Sequence, residues 1–337
     1  MSPRERHVYV RVSAIDCGTN SIRLLVAEVD QHGDGARGDL GPGHGAGTPR
    51  LVDLDRRLEI VRLGQGVDRT GRIAPEALAR TLDACKRYGS RIAELGAERP
   101  RFVATSATRD AANRDEFVAG VRDLLGVEPE VISGAEEARL SFMGSTRELH
   151  PLGLATPYLV VDIGGGSTEF VLGDVEPEAA VSVDMGCVRL TERCLPSDPP
   201  TDAEIETARA EVERQLDKAA LSVPLDQART LVGLAGTVTT VAAMVLGLAA
   251  YEADLLHQAR ITATQVHTAT ARLLSMSHAE RRALPYMHPG RVDVIGGGAL
   301  ILDRIVARVA RHLPIDEVVV SEHDILDGIA LSCVEGS

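Results

Sequence analysis

The sequence predicts an α/β protein built as two similarly folded halves that face each other across a phosphate-binding cleft. The first of three observations is a duplication. Ala14-Ile15-Asp16-Cys17-Gly18-Thr19-Asn20-Ser21-Ile22-Arg23-Leu24-Leu25-Val26 returns as Val160-Val161-Asp162-Ile163-Gly164-Gly165-Gly166-Ser167-Thr168-Glu169-Phe170-Val171-Leu172. Overlaid, Asp16 falls on Asp162, Gly18 on Gly164 and Ser21 on Ser167. Each copy is an apolar run ending in Asp, a turn of small residues, and a second apolar run, the pattern of two strands joined by a tight turn. Such a turn leaves backbone N–H groups uncovered, and uncovered amides can hold phosphate oxygens. The second observation is length, since 337 residues are many for one core and comfortable for two. The third is that strand and helix patterns mix in both halves.

Taken in order, Val8 to Ile15 and Ile22 to Val29 form the first predicted hairpin. Gln31 to Arg50, dense in glycine and poor in apolar residues, reads as a mobile surface loop, because it has nothing to bury. Arg56 to Leu63 reads as a strand, and Pro75 to Glu94 as a helix with Pro in its first turn. A strand over Arg101 to Ser106, a helix over Arg109 to Leu125, a strand over Val127 to Ile132 and a helix from Ala135 to about Leu149 follow. Pro151 to Pro157 resembles a hinge, which divides the chain into 1–153 and 154–337. Beyond the second hairpin, helices are expected over Ala203 to Ala220, Thr264 to Leu274, Val292 to Ala310 and Asp324 to Cys333. Strands are expected at Thr230 to Leu234 and Glu317 to Val320. The turn Ala235-Gly236-Thr237 enters a further helix.

Composition excludes several classes of function. A net charge of −13 argues against a broad nucleic-acid-binding face, and 3% aromatic residues with no Trp provide few platforms for bases. No apolar run is long enough to span a bilayer, and the first residues do not form a signal-peptide core, so a cytoplasmic protein is expected. The five cysteines include no CxxC pair, which argues against a disulfide framework or a zinc site on that spacing. Cys17 lies in the first turn with nothing near it in sequence to activate a thiolate.

Four segments carry a closer resemblance: Asp16-Cys17-Gly18-Thr19-Asn20-Ser21, Ala104-Thr105-Ser106-Ala107-Thr108-Arg109-Asp110, Ile132-Ser133-Gly134-Ala135-Glu136-Glu137-Ala138-Arg139-Leu140 and Asp162 to Glu169. A fifth, Arg291 to Gly298, fits more loosely. The chain resembles the exopolyphosphatase and guanosine pentaphosphate phosphohydrolase family, part of the actin, Hsp70 and sugar-kinase superfamily. The resemblance implies two ribonuclease H-like (actin-like ATPase) domains and a homodimer. It also implies hydrolysis of terminal phosphate from inorganic polyphosphate, or of the 5′ γ-phosphate of guanosine pentaphosphate (pppGpp). It implies a short two-domain form, without the C-terminal helical extension of longer members. An actin-like ATPase or kinase is disfavoured by the Ser-Gly-x-Glu-Glu-Ala segment, and a non-catalytic sensor by the intact acids.

Hydrolysis of a phosphoanhydride needs a positioned water, a base for it and positive charge on the oxygens. Ser133 and Glu136 match a capping box, so Glu136 is expected to cap the helix. Glu137 is turned about 100° further round and cannot share that task. The resemblance makes Glu137 the catalytic glutamate and Arg109 the phosphate-binding arginine. Arg109 is expected at the start of a helix, where its fork would combine with free amides. Thr19, Asn20, Ser21 and Arg23 in the first copy, and Gly164, Gly165, Gly166, Ser167 and Thr168 in the second, are the candidate phosphate contacts. Asp162 and Glu169 flank the second turn, where carboxylates would repel phosphate unless a cation intervenes, so Mg²⁺ is implied. Asp16 holds the equivalent place in the first copy, where metal contact and closure of its own turn are both open. Arg139 is a candidate partner for a nearby carboxylate, and Gly296-Gly297-Gly298 reads as close helix packing rather than a phosphate cradle.

Overall fold

Two mixed sheets of matching topology carry the molecule. The computed structural model describes residues 9–30, 50–311 and 316–334. The glycine-rich stretch 31–49 lies outside the described residues. The first sheet contains β1 (Tyr9–Cys17), β2 (Ser21–Asp30), β3 (Leu51–Ile60), β4 (Arg99–Ala104) and β5 (Glu130–Val131), in the order β3-β2-β1-β4-β5. β1, β2 and β3 pair antiparallel, and β1, β4 and β5 pair parallel. The second contains β6 (Tyr158–Ile163), β7 (Thr168–Gly173), β8 (Pro177–Val183), β9 (Thr230–Leu234), β10 (Arg260–Thr262) and β11 (Glu317–Val320). Its order is β10-β11-β9-β6-β7-β8, again an antiparallel meander followed by parallel strands. The expected α/β pair of like-folded halves is therefore present, with one further edge strand on the second sheet.

Both sheets are covered on both faces, as parallel strands require. In β1, Ile15 and Cys17 turn toward a core shared with the helix Pro75–Leu95, while Val12 and Ala14 turn the other way. That second face is closed by the last helix, Ile325–Ser332, through Ile325, Leu326, Ile329 and Ala330. In β6, Leu159, Val161 and Ile163 meet the helices Asp202–Ala220, Ala263–Ser275 and Ile295–Ala310. Val160 and Val171 of the second sheet meet Ala138 and Phe142 of the helix Gly134–Thr146. The halves are thus interleaved, because a helix from each end of the chain's middle and terminus lies between the sheets. These two helices cross with unusually close backbones. A Cβ on Gly144 would lie 1.9 Å from Asp324 O, and one on Gly328 would lie 2.0 Å from Leu140 O.

Several expected boundaries shift, among them the strand expected over Arg56 to Leu63, which runs Leu51–Ile60. The helix expected over Arg109 to Leu125 is broken into Ser106–Asp110 and Arg114–Leu125, because the Asn113 side chain turns back to bond both the N–H and the C=O of Ile73. The strand expected over Val127 to Ile132 shrinks to Glu130–Val131, and β8 was not expected, since its half-exposed PEAAVSV carries little apolar alternation. The helix over Gly296 to Gly298 packs closely as expected, with Gly297 against Cys187 and Thr191 and Gly298 against Thr237. Among the described residues, no helix is long and apolar enough to cross a membrane.

Candidate active site

The duplicated hairpins place their turns at one end of each sheet with identical closure. Gly18 N–H donates to Ser21 O at 2.9 Å, and Gly164 N–H donates to Ser167 O at 3.0 Å. The turns also meet: a Cβ on Gly165 would lie 2.8 Å from Thr19 Cβ and 3.2 Å from Asn20 N. A single cleft therefore runs between them, lined in part by Thr19, Asn20, Ser21, Gly164, Gly165 and Ser167. The other two predicted contacts of the second turn face elsewhere. Gly166 packs against Ser106 and Thr19, and the buried Thr168 hydroxyl donates to Met185 O.

Register turns the hairpins into opposites. In the first, Asp16 stands directly across from Arg23. Arg23 Nη2 donates to Asp16 Oδ2 at 2.6 Å and Nε to the same oxygen at 3.0 Å, while Nη1 bonds Asp324. Arg23, expected to meet phosphate, is thus held by two carboxylates. Asp16 is occupied by an ion pair, and its turn is closed by backbone instead. In the second hairpin, Asp162 stands directly across from Glu169. Two like charges opposed across a ladder repel, and both of these are buried. Burial pushes the Asp162 carboxyl up to about 6, with Asp324 adding to it. Burial also pushes Glu169 well above the usual range, reinforced by Glu137 and Asp162. Ser141 Oγ donates to Asp162 and Ser182 Oγ to Glu169, both at 2.7 Å, which orients the two carboxylates. A pair of buried, oriented, mutually repelling carboxylates fits a hard divalent cation such as Mg²⁺.

Glu137 enters from the first turn of Gly134–Thr146 and is buried at the cleft wall. Burial pushes its carboxyl up to about 7, against the pull of Arg109. Arg109 Nη1 donates to Glu137 Oε2 at 3.1 Å and to Ile132 O at 3.0 Å. The expected setting of Arg109 is corrected: it lies in the last turn of Ser106–Asp110, not at a helix start, and its own N–H already bonds Thr105 O. Its side chain touches the base candidate and is not itself part of the cleft wall. The capping expectation is half met. Ser133 Oγ accepts from Glu136 N, but the Glu136 carboxylate turns to Arg139 at 3.0 Å and Arg101 at 3.4 Å.

Sequence reasoning missed three contributors. Ser106 joins the wall and shares a 2.9 Å hydroxyl bond with Thr19. Asp324, N-cap of the last helix, reaches Arg23 from the far end of the chain. Arg291, quoted only within the loose fifth segment, lies over Gly236 on the wall and has no carboxylate partner among the described residues. Only an Arg directly after Pro289-Gly290 marks it in the sequence. Cys17 is fully buried, and its thiol is pushed well up, which leaves it without nucleophilic character.

The Ppx/GppA phosphatase family model matches residues 43–335. The chain belongs to that family. A Ppx/GppA member is a phosphatase, so the chain is a hydrolase. The chain is 51% identical over 327 residues to Exopolyphosphatase 2 of Mycobacterium tuberculosis, covering 96% of this chain and 98% of that protein. It superposes on the crystal structure of an exopolyphosphatase-like protein with a TM-score of 0.89 at 43% identity, covering 96% and 97% of the two chains. The Aquifex aeolicus PPX-GPPA enzyme matches with a TM-score of 0.76 at 29% identity, over 96% of this chain and all (100%) of that one. The two halves are the actin-like domains of this Ppx/GppA fold.

Proposed function

We propose that this chain is an exopolyphosphatase that removes terminal phosphate from inorganic polyphosphate with Glu137 as general base. The observation that carries the base assignment is a buried carboxyl pushed up to about 7 on the wall of a cleft bounded by two phosphate-type turns. A base whose pKa lies near neutral can both exist as carboxylate and hold a proton after taking it from water. The likeness to Exopolyphosphatase 2 supports polyphosphate as the substrate. The uncovered amides of the two turns would bind the terminal phosphate, and Arg291 would meet its neighbour. Asp162 and Glu169 would hold Mg²⁺, which supplies positive charge to the phosphate oxygens when bound. Arg109 orients Glu137 and keeps a share of it ionised. Ser141 and Ser182 keep the two acids aimed.

The test is to incubate the protein separately with polyphosphate, pppGpp and ATP, with and without Mg²⁺, and to measure released phosphate. Release from polyphosphate that stops on chelation is the expected result. Release from ATP alone would overturn the reading, and faster release from pppGpp would reassign the substrate within the family. Equal rates for wild type and Glu137→Gln on polyphosphate would remove the base assignment.

A further inference from the structure

Away from the two turns, three side chains from distant segments converge on one point. Glu148 follows the helix Gly134–Thr146, His257 follows the short helix Ala253–Leu256, and His323 lies between β11 and the last helix. One oxygen, Glu148 Oε2, lies 3.1 Å from His257 Nε2 and 3.5 Å from His323 Nε2. The three donor atoms all lie within 4.8 Å of one another. Ligands at the corners of a tetrahedron with bonds of about 2.0–2.1 Å stand roughly 3.3 Å apart, and the two distances to Glu148 straddle that spacing.

The hydrogen bonds behind the cluster prepare one of its histidines. His323 Nδ1 lies 2.9 Å from Asp327 Oδ1, and the buried Asp327 is itself held by Arg56 at 2.6 Å. With its proton on Nδ1, His323 presents a lone pair on Nε2 toward the Glu148 carboxylate. Lone pair and carboxylate repel unless a proton or a metal cation lies between them. This carboxylate–histidine arrangement fixes the tautomer and ring orientation that a metal-bound histidine needs.

From this geometry we propose that Glu148, His257 and His323 form a site for a divalent ion of the Zn²⁺ type, with water as the fourth ligand. Two imidazoles with one carboxylate suit a borderline-soft ion, unlike the all-oxygen pair at Asp162 and Glu169. None of the three residues belongs to the pair assigned to Mg²⁺, and the proposal does not rest on which phosphoanhydride the cleft takes. Coordination by His257 Nε2 requires that ring to carry its proton on Nδ1. The 3.3 Å contact from Glu322 N–H to His257 Nδ1 must then open, and the Gln258 amide, 3.2 Å from His257 Nε2, must turn away. The ion would fasten the end of Gly134–Thr146 to the segment leading into Ile325–Ser332, joining the two helices that cross between the sheets.

The experiment uses the full chain, stripped with a chelator and returned to excess Mg²⁺ so that the catalytic acids are occupied. Equilibrium dialysis against Zn²⁺ should give one ion per chain, and Co²⁺ in its place should give the visible spectrum of a four-coordinate nitrogen and oxygen site. Glu148→Gln keeps size and hydrogen bonding in a half-exposed side chain, so it should fold and yet bind Zn²⁺ at least tenfold more weakly. His257→Ala should do the same, Asp327→Asn should weaken binding about 10–100-fold, and Asp162→Asn should leave it unchanged. Zn²⁺ should also raise the melting temperature of wild type but not of Glu148→Gln. Absence of bound Zn²⁺ in wild type, equal binding by Glu148→Gln and His257→Ala, or loss in Asp162→Asn would each overturn the site.

Discussion

At Glu137 the chemistry reduces to one proton. In the proposed base role, a carboxyl pushed up to about 7 by burial exchanges its proton near neutral pH. The ionised form works, so kcat should rise about tenfold per pH unit below that value and level off above it. Removing Arg109 takes away a charge that favours the carboxylate. A pH–rate profile of Arg109→Ala should therefore show its acidic limb moved to higher pH, and an unmoved limb would deny the orienting role. Glu137→Gln should lower kcat by about 10²–10⁴-fold. Its neighbour behaves differently: among the described residues the Glu136 carboxylate pairs with Arg139 and Arg101 at a partly exposed site, so Glu136→Gln should cost about 1 kcal/mol or less and leave turnover intact. Asp162 and Glu169 face each other across the ladder, and Ser141 holds one of them, so Ser141→Ala, which frees that carboxylate, should raise the Mg²⁺ needed for half-maximal rate by about tenfold. A Mg²⁺ titration of the variant checks this.

At the scale of elements, the repeated hairpins were legible because strand alternation and small-residue turns are local signals. Register was not read from the sequence, and it is the pairing of Asp16 with Arg23 and of Asp162 with Glu169 that sets the two hairpins apart. The break at residues 111–113 was not legible either, because it depends on Asn113 finding Ile73 far away in sequence. Gly144 and Gly328 were equally silent. A glycine inside a helix normally costs about 0.5–1 kcal/mol relative to alanine, so propensity alone favours replacing them. Contact reverses that sign. Gly328→Ala should destabilise the chain by about 1–3 kcal/mol or more in urea unfolding, because its Cβ would fall on the Leu140 carbonyl.

Across the whole molecule, ion pairs bridge the two lobes at one rim of the cleft. Arg189 bonds Asp68 at 3.0 Å and Asp110 at 2.6 Å, Arg193 bonds Asp68 at 2.5 Å, and Arg62 bonds Asp293 at 2.8 Å. Asp68 serves both arginines from the first lobe, so Asp68→Ala releases two contacts at once. The substrate-free variant should show a larger radius of gyration than wild type by small-angle scattering, and moderate salt should enlarge wild type in the same direction. An unchanged radius in both would mean that the touching turns hold the lobes without this rim. The sequence by itself determined two α/β halves, their paired turns and the acids beside them, because each is encoded by neighbours along the chain. Only the tertiary structure decided that Arg23 is tied to Asp324, that Arg291 lines the cleft with no carboxylate ion pair among the described residues, and that Glu137 is buried against Arg109. Those facts depend on pairings between separate segments, 301 residues apart for Arg23 and Asp324 and 28 for Arg109 and Glu137, and burial there sets the charge on which the proposed catalysis depends.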